Sequence, residues 1–270
     1  MRTFTLCADD YSQSPPINRA ILKLLEMERL DAVSCLTLSP TWREDAHTLR
    51  GIGSGSAGLH FNLTLPFGQQ ARKVSAILAT ALLGKIDPKA VHKAFQTQWN
   101  AFIDAMGHLP SFVDGHQHVH SFPVIRDVIV DFVAQAHPCC KIRTLQPPPG
   151  LKHGPFKQRL LEHVSRPLTS LLTNAGLATN RHFAGFRSYR NGEGFRRVFV
   201  RWINACGDPP LIMCHPGMSS ENLSDPIRIS RYEEFRYLSS RDFIFDCANG
   251  SRQFDGLFRT GNHQRAIPPR

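Results

Sequence analysis

Asp9 and Asp10 in "CADDYS", His60 in "GLHFNLT", Asp114, His116, His118 and His120 in "DGHQHVH", Arg143 in "KIRT" and His215 in "MCHPG" are the residues of this chain whose types could do chemistry together. One carboxylate and two neutral imidazoles make a set that suits Zn²⁺ or another borderline divalent ion and leaves positions open for water and substrate. A bound ion lowers the pKa of water and polarises a carbonyl, while a second carboxylate nearby takes the proton. Adjacent aspartates can divide these two jobs. Each residue alone has a plainer reading: a histidine near a strand end is usually a hydrogen-bonded structural residue, and an acid pair after a strand commonly caps a helix. What favours a metal-centred site is that carboxylate or imidazole recurs at the same end of successive strands.

Those strands come from short β-favouring runs separated by longer amphipathic segments. "TFTLCA" at 3–8, "AVSCLTL" at 32–38, "AGLHFNL" at 57–63, "SFVDG" at 111–115, "KIRT" at 141–144, "HFAGF" at 182–186 and "PLIMC" at 210–214 read as seven strands. Helical spacing of Ile17, Ala20, Ile21, Leu24 and Leu25 predicts a helix from Pro16 to about Arg29, and Val91, Phe95, Trp99, Phe102 and Ile103 predict another from Pro88 to Met106. The segment from Thr41 to Leu49 reads as a third. This alternation predicts an α/β fold with about seven parallel strands, a distorted (β/α) barrel of the TIM kind, with a doubly wound open sheet as the alternative. One domain over residues 1–259 is expected, with 260–270 as a loosely held tail and 146–155 as an irregular loop. Barrels and open sheets both assemble their sites at the carboxyl ends of the strands, where these ionisable residues fall.

Composition narrows the surroundings. Hydrophobic residues at 41% and charged residues at 20% suit a globular chain and argue against disorder. The 32 basic against 22 acidic residues give +10, which favours phosphates, acidic sugars or an anionic membrane without choosing among them. The densest basic segment, Lys141 to Arg201, also holds the apolar patches "RLLEHV" and "LTSLL", a mixture that fits peripheral membrane contact. Acidic residues follow the N-terminal Arg2 too soon for a signal-peptide core, and the seven cysteines lack C-x-x-C spacing. A reducing, cytoplasmic setting is the expectation.

Taken in order and at these separations, "CADDYS", "GLHFNLT", "DGHQHVH" and "MCHPG" resemble the YdjC-like, or ChbG/HpnK, family of carbohydrate deacetylases over roughly residues 3 to 250. The resemblance implies a distorted (β/α) barrel that uses a divalent metal to remove the acetyl group from an N-acetylated amino sugar. Carried across by position, it implies Asp10, His60 and His116 as metal ligands and Asp9 as the general base. His215 would then be the acid that protonates the departing amine, and Arg143 would hold Asp9 ionised. Asp114, His118, His120, Asn62 and Tyr11 would surround the ligands or the substrate: Asp114 as acceptor from a ligating histidine, Asn62 and Thr64 serving either a turn or the sugar. The chain departs from the family pattern after the aromatic that follows "ADD", where a glycine is common and Ser12 stands here. That departure bears on the shape of the loop near Asp9 and not on the ligand set.

The expected cofactor is one divalent ion, Zn²⁺ first, with Mg²⁺ or another divalent ion as the alternative. The expected substrate is an N-acetylhexosamine in an oligosaccharide or a lipid-linked glycan at the cytosolic membrane face; a homo-oligomer is left open. Metal-dependent phosphoester hydrolysis is the rival within enzymes, since histidine and aspartate clusters on barrels also serve phosphatases. A basic nucleic-acid-binding protein is the rival outside them, although neither a basic aromatic strand motif nor a recognition helix is seen and no nucleic acid is expected.

Overall fold

β1 (Thr3–Tyr11) is buried almost without interruption, with Phe4, Leu6, Cys7 and Ala8 all at 0% exposure. A strand covered on both faces is the mark of a parallel sheet sheathed in helices. A computed structural model describes residues 3–67, 70–151, 156–189, 193–205, 210–218, 225–249 and 253–254. After β1 come α1 (Pro15–Glu26), β2 (Ala32–Cys35), α2 (Trp42–Ile52), β3 (Ser56–Phe61), α3 (Val74–Leu82) and α4 (Pro88–Met106). They are followed by β4 (Phe112–Gly115), a 3-10 segment (His116–Ser121), α5 (Ile125–Ala136), β5 (Lys141–Ile142), α6 (Phe156–Asn174) and β6 (His182–Ala184). The chain continues through α7 (Phe195–Asn204), β7 (Pro210–Cys214), α8 (Arg228–Leu238), α9 (Arg241–Asn249) and the short β8 (Gln253–Phe254).

Seven parallel strands form one sheet in the order β5-β4-β3-β2-β1-β7-β6, curled into a half-barrel, with β8 paired to the first residues of β1. Spatial neighbours are thus sequence neighbours except across β1–β7 and the break between β5 and β6. The α/β expectation holds, as a distorted barrel with helices packed outside the sheet.

The helices form where spacing and end signals agree. In α4, Asp87 accepts from the Lys89 N–H at 2.9 Å, Pro88 opens the helix, and Gly107 closes it at φ 74°, a conformation that costs glycine nothing. Its buried face carries Val91, Phe95, Trp99 and Phe102, and Gln98 among them turns a polar end inward. Gln98 accepts from the Asn62 N–H at 2.8 Å and donates to the Asn62 carbonyl at 2.9 Å, so one side chain finishes the ladder where β3 stops.

β3, β5 and β6 stop short of their sequence runs for local reasons. β3 ends at Phe61 because Asn62 turns the chain, its Oδ1 accepting from Thr64 and Leu65 N–H groups at 2.9 Å. β6 ends before Gly185, whose φ of 135° leaves the strand, and any Cβ there would lie 2.8 Å from Met213. After β5 the Arg143 N–H still donates to the Val113 carbonyl of β4 at 3.0 Å, but Thr144 pairs with a side chain instead of a strand. Asn180 Oδ1 accepts from Thr144 N–H at 2.8 Å, and its Nδ2 donates to the Thr144 and His182 carbonyls at 3.0 Å. Together with Phe183 N–H donating to the Gln146 carbonyl at 2.7 Å, these bonds stitch the break between β5 and β6.

Two features were not read from the sequence. α3 was not foreseen, because an uncharged apolar run without a polar face gives little helical periodicity. The apolar patches of the Lys141–Arg201 segment do not face outward: Val164, Leu168 and Leu172 of α6 are buried in the core. The tail expected at 260–270 lies outside the described residues, and no helix among those described is long and apolar enough to cross a membrane.

Because Asn180 supplies three hydrogen bonds at the seam, Asn180→Ala is expected to lower unfolding free energy by about 2 kcal/mol. Urea denaturation of the purified protein measures it; an unchanged midpoint would mean that the seam is held by packing alone.

Candidate metal centre and active site

β1 carries its two aspartates into the site by means of a bulge. Ala8 pairs with Val33 and Tyr11 with Cys35, so three steps in β1 face two in β2 and one residue is extra. Asp10 absorbs it at φ 70°, and Ser12 follows at φ 71°. The bulge breaks the alternation by which neighbouring strand residues ordinarily point to opposite faces. Ser12 stands in the left-handed region where glycine is unstrained. It is held there by its N–H to Asn18 Oδ1 at 2.7 Å and its hydroxyl to Asp45 Oδ2 at 2.6 Å.

Asp10 Oδ1 is the point on which two imidazoles converge. His116 Nδ1 lies 2.8 Å away and His60 Nε2 3.3 Å away, all three residues being buried. One donor atom from each lies within 4.8 Å of the others, close enough to share an ion. The other oxygen, Oδ2, accepts from Arg231 Nη2 at 2.7 Å, which leaves Oδ1 facing the imidazoles. Burial works against ionisation of Asp10, but Arg231, His116 and His60 together hold its pKa well below the usual carboxylate range. One oxygen and two ring nitrogens, pre-gathered around an open point, fit a borderline divalent ion.

His60 is aimed from behind. Its Nδ1 lies 2.6 Å from Asp114 Oδ1, and Ser34 donates to the same carboxylate oxygen. The pairing of imidazole with buried carboxylate orients a metal-binding histidine and sharpens its basicity. Burial alone would lower the His60 pKa, but Asp114 and Asp10 outweigh it and raise it to about 10.

A second group, Cys7, Asp9 and Asp114, is also close enough to hold an ion, yet it is already filled by a cation. Arg143 spans Asp9 with two parallel bonds of 2.7 and 2.8 Å, reaches Asp114 at 2.5 Å and touches Cys7 Sγ at 3.2 Å. A forked guanidinium fixes the plane of the Asp9 carboxylate. Among the described residues this leaves one three-residue cluster free to take a metal.

The 3-10 segment explains the remaining histidines. Gln117 and His118 adopt φ of 53° and 62°, so the chain coils tightly after His116 and sends the next side chains elsewhere. His118 packs edge-on against Phe183 and Phe186, with ring centroids 5.8 and 5.0 Å away, and burial pushes its pKa well down. His120 donates from Nε2 to the Arg143 carbonyl at 3.0 Å, and burial lowers its pKa to about 4. It thus braces β5 beneath Arg143. Gly115 leaves room for it, since a Cβ there would come within 3.0 Å of the His120 nitrogen.

His215 sits at the carboxyl end of β7. Its Nδ1 lies 3.1 Å from the Tyr189 hydroxyl, and its backbone N–H donates to Glu234. Burial lowers its pKa, although Asp10, Asp9 and Glu234 oppose the shift. Glu234 is tied in turn to Arg187, which lies over the Tyr189 and Phe195 rings at 5.1 and 5.2 Å.

Two residues expected around the ligands or the substrate bond to their own surroundings. Tyr11 is wholly buried and donates its hydroxyl to the Asp45 carbonyl at 2.8 Å, joining β1 to α2. Asn62 spends its side chain on the turn after β3, which is the structural half of its two expected roles. Conversely, Ser34, Tyr189, Arg231 and Glu234 were not singled out from sequence. Arg231 and Glu234 had a signal: they lie three apart on the face of α8 that also buries Tyr237 and Leu238. Charged residues on a core-facing stripe are expected to be paired, and here their partners are Asp10 and the His215 backbone.

The family described as YdjC-like protein matches residues 3–248. The chain is similar to the chitooligosaccharide deacetylases of Salmonella dublin and Salmonella paratyphi B, each 26% identical over 230 residues that cover 80% of this chain and 81% of the relative. Its fold is also similar to that of a candidate cellobiose-phosphate cleavage protein from Enterococcus faecalis V583, at TM-score 0.67 and 15% identity, covering 94% of this chain and 97% of the other.

The His60 pairing sets a pH dependence for the metal-free protein. Its folded value of about 10 lies above the ordinary 6.5, so its stabilising contribution is complete below about pH 6.5 and is lost as pH rises through 10. Chelator-treated protein is therefore expected to lose urea stability between pH 7 and 10, and Asp114→Asn to lose less over that interval. Equal slopes for both proteins would show that Asp114 does not hold the proton on His60.

Proposed function

The chain belongs to the YdjC-like protein family, and from that membership we propose that it is a metal-dependent hydrolase that removes the N-acetyl group from an N-acetylated amino sugar, releasing acetate. The observation that carries the reading is the convergence of Asp10, His60 and His116 on one point, with Asp9 delivered beside it by the same bulge. The relatives named as chitooligosaccharide deacetylases support the substrate class.

Asp10, His60 and His116 would hold the ion, and two nitrogens with one oxygen favour Zn²⁺ over the all-oxygen preference of Mg²⁺. A bound divalent ion supplies a Lewis acid that activates water and polarises the acetamide carbonyl. The chain's own residues do the rest. Arg231 keeps Asp10 turned so that Oδ1 faces the imidazoles, and Asp114 with Ser34 does the same for His60. Asp9 accepts the proton of the attacking water, its plane fixed by Arg143.

Amide cleavage also needs the nitrogen protonated before it leaves. His215 is proposed for that step, its Nδ1 held by the Tyr189 hydroxyl at 3.1 Å so that Nε2 is the nitrogen left to serve as donor. Its lowered pKa makes the imidazolium, once formed, a strong proton donor. Negative charge growing on the reacting carbonyl favours protonation of His215 at the moment it is required. His118, with Phe183 and Phe186, forms an aromatic wall beside these groups and is proposed to border the sugar or its acetyl group.

Phosphoester hydrolysis is supported less well. Such sites usually gather two or more ions, whereas the second potential cluster here is taken by Arg143. A reducing compartment suits the thiols: Cys7, Cys35, Cys139, Cys140, Cys214 and Cys247 are all free.

Acetate release from N-acetylglucosamine oligosaccharides is expected to need about one ion per chain, to vanish with a chelator and to return with Zn²⁺. His215→Ala should keep the metal and lose roughly 100-fold in kcat. Full activity in a metal-loaded His215→Ala protein would remove that residue from the mechanism. Failure to release acetate from any N-acetylhexosamine in the presence of metal would remove the deacetylase reading.

A further inference from the structure

α3 is unlike the other helices of the described chain. From Val74 to Gly84 the sequence "VSAILATALLG" contains no charged residue, yet only Ile77 and Ala81 of α3 are buried. Leu82 is 56% exposed and Leu83, just past the helix end, 68%. A solvated helix ordinarily puts charges on its outer face; this one puts leucine there. Cations bracket it instead, with exposed Arg72 and Lys73 before it and exposed Lys85 after it.

Its place in the fold adds a second observation. α3 lies within the connection from β3 to α4, at the carboxyl end of the sheet, and packs against the 3-10 segment that begins with His116. The apolar surface therefore stands at the rim of the metal site and not on the far end of the barrel. At the same end, α8 opens with Arg228 and Ile229, the latter 73% exposed.

We propose that α3, with its bracketing cations, is a surface that docks on an anionic phospholipid bilayer and turns the site toward a substrate carried by the membrane. An apolar face seats at the headgroup boundary by burying leucine, while lysine and arginine at its ends meet lipid phosphates. The +10 balance of the chain works in the same direction. A bilayer fits better than a second copy of the chain, because an equally basic partner would set Arg72, Lys73 and Lys85 against like charge. The purpose of the docking, presenting a lipid-linked amino sugar, rests on the deacetylase reading; the docking itself does not.

Co-sedimentation of the full chain with phosphatidylcholine vesicles containing about 30% phosphatidylglycerol tests it, against phosphatidylcholine alone. The protein should be retained on the anionic vesicles and released by high salt. The double variant Leu82→Ser/Leu83→Ser should lose at least about tenfold in partitioning while keeping its melting temperature and its turnover of soluble oligosaccharide. Lys73→Glu/Lys85→Glu, which leaves every apolar contact in place, should lose binding to the anionic vesicles as well. No retention of the unaltered chain, or equal retention of both variants, would overturn the proposal. So would light scattering that shows a dimer dissolved by Leu82→Ser/Leu83→Ser, since a second copy would then cover the helix. Vesicle retention without any acetate release would sink the deacetylase reading and leave the docking surface standing.

Discussion

Three carboxylates, Asp9, Asp10 and Asp114, lie within the carboxyl end of the sheet at no more than 1% exposure, and the architecture around them exists to make that tolerable. A buried charge without a partner costs several kcal/mol, far more than a surface pair returns. Arg143 answers Asp9 and Asp114, Arg231 answers Asp10, and both guanidiniums are themselves buried. Three negative charges against two positive leave one over. In the metal-free protein the proton on His60 matches it, which is why burial fails to strip that imidazole. A divalent ion held through His60 would have to displace that proton, so occupancy of the centre and protonation of His60 exclude one another. Charge balance thus couples occupancy of the centre to protonation of one of its ligands.

The same constraint explains why α8 matters to a site built at strand ends. Its residues Arg231 and Glu234 reach, respectively, the first ligand of the candidate centre and the backbone of His215. Arg187 fastens Glu234 and lies over Tyr189, which touches the far nitrogen of His215. Asp10 and His215 are therefore positioned by one rigid element, and a shift of α8 would move both together. Geometry held by a helix packed on the sheet is more reproducible than geometry held by a loop.

Much of this was legible in the chain before folding. The seven strands could be read because parallel strands buried on both faces are short apolar runs, and their ends could be read because Asp9, His60, Asp114 and His215 interrupt those runs at equivalent heights. The bulge was not legible: nothing in "CADDYS" says that Asp10 rather than a glycine takes φ 70°. Arg231 and Glu234 were legible only in part: their spacing marks one helical face with Tyr237 and Leu238, but a strongly polar helix such as "RISRYEEFRYL" reads as a solvated surface until that face is known to meet the core. The direction of the Tyr11 side chain was hidden for a related reason: strand alternation gives the face of a residue only up to the first extra residue, and Tyr11 lies one position beyond it.

Ser12 shows how the departure from the family pattern is absorbed. A side chain at φ 71° carries strain of about 1 kcal/mol that glycine would not. In exchange its backbone N–H is fixed by Asn18 of α1 and its hydroxyl by Asp45 of α2, while the neighbouring Tyr11 hydroxyl reaches the Asp45 carbonyl. The loop that carries Asp9 and Asp10 is consequently pinned to two helices and not left to its own conformational preference. A glycine would reach the same backbone shape with less strain but would forgo the hydroxyl bond and regain freedom in the unfolded chain. The serine therefore trades local ease for a rigid frame around the bulge that carries two adjacent buried carboxylates.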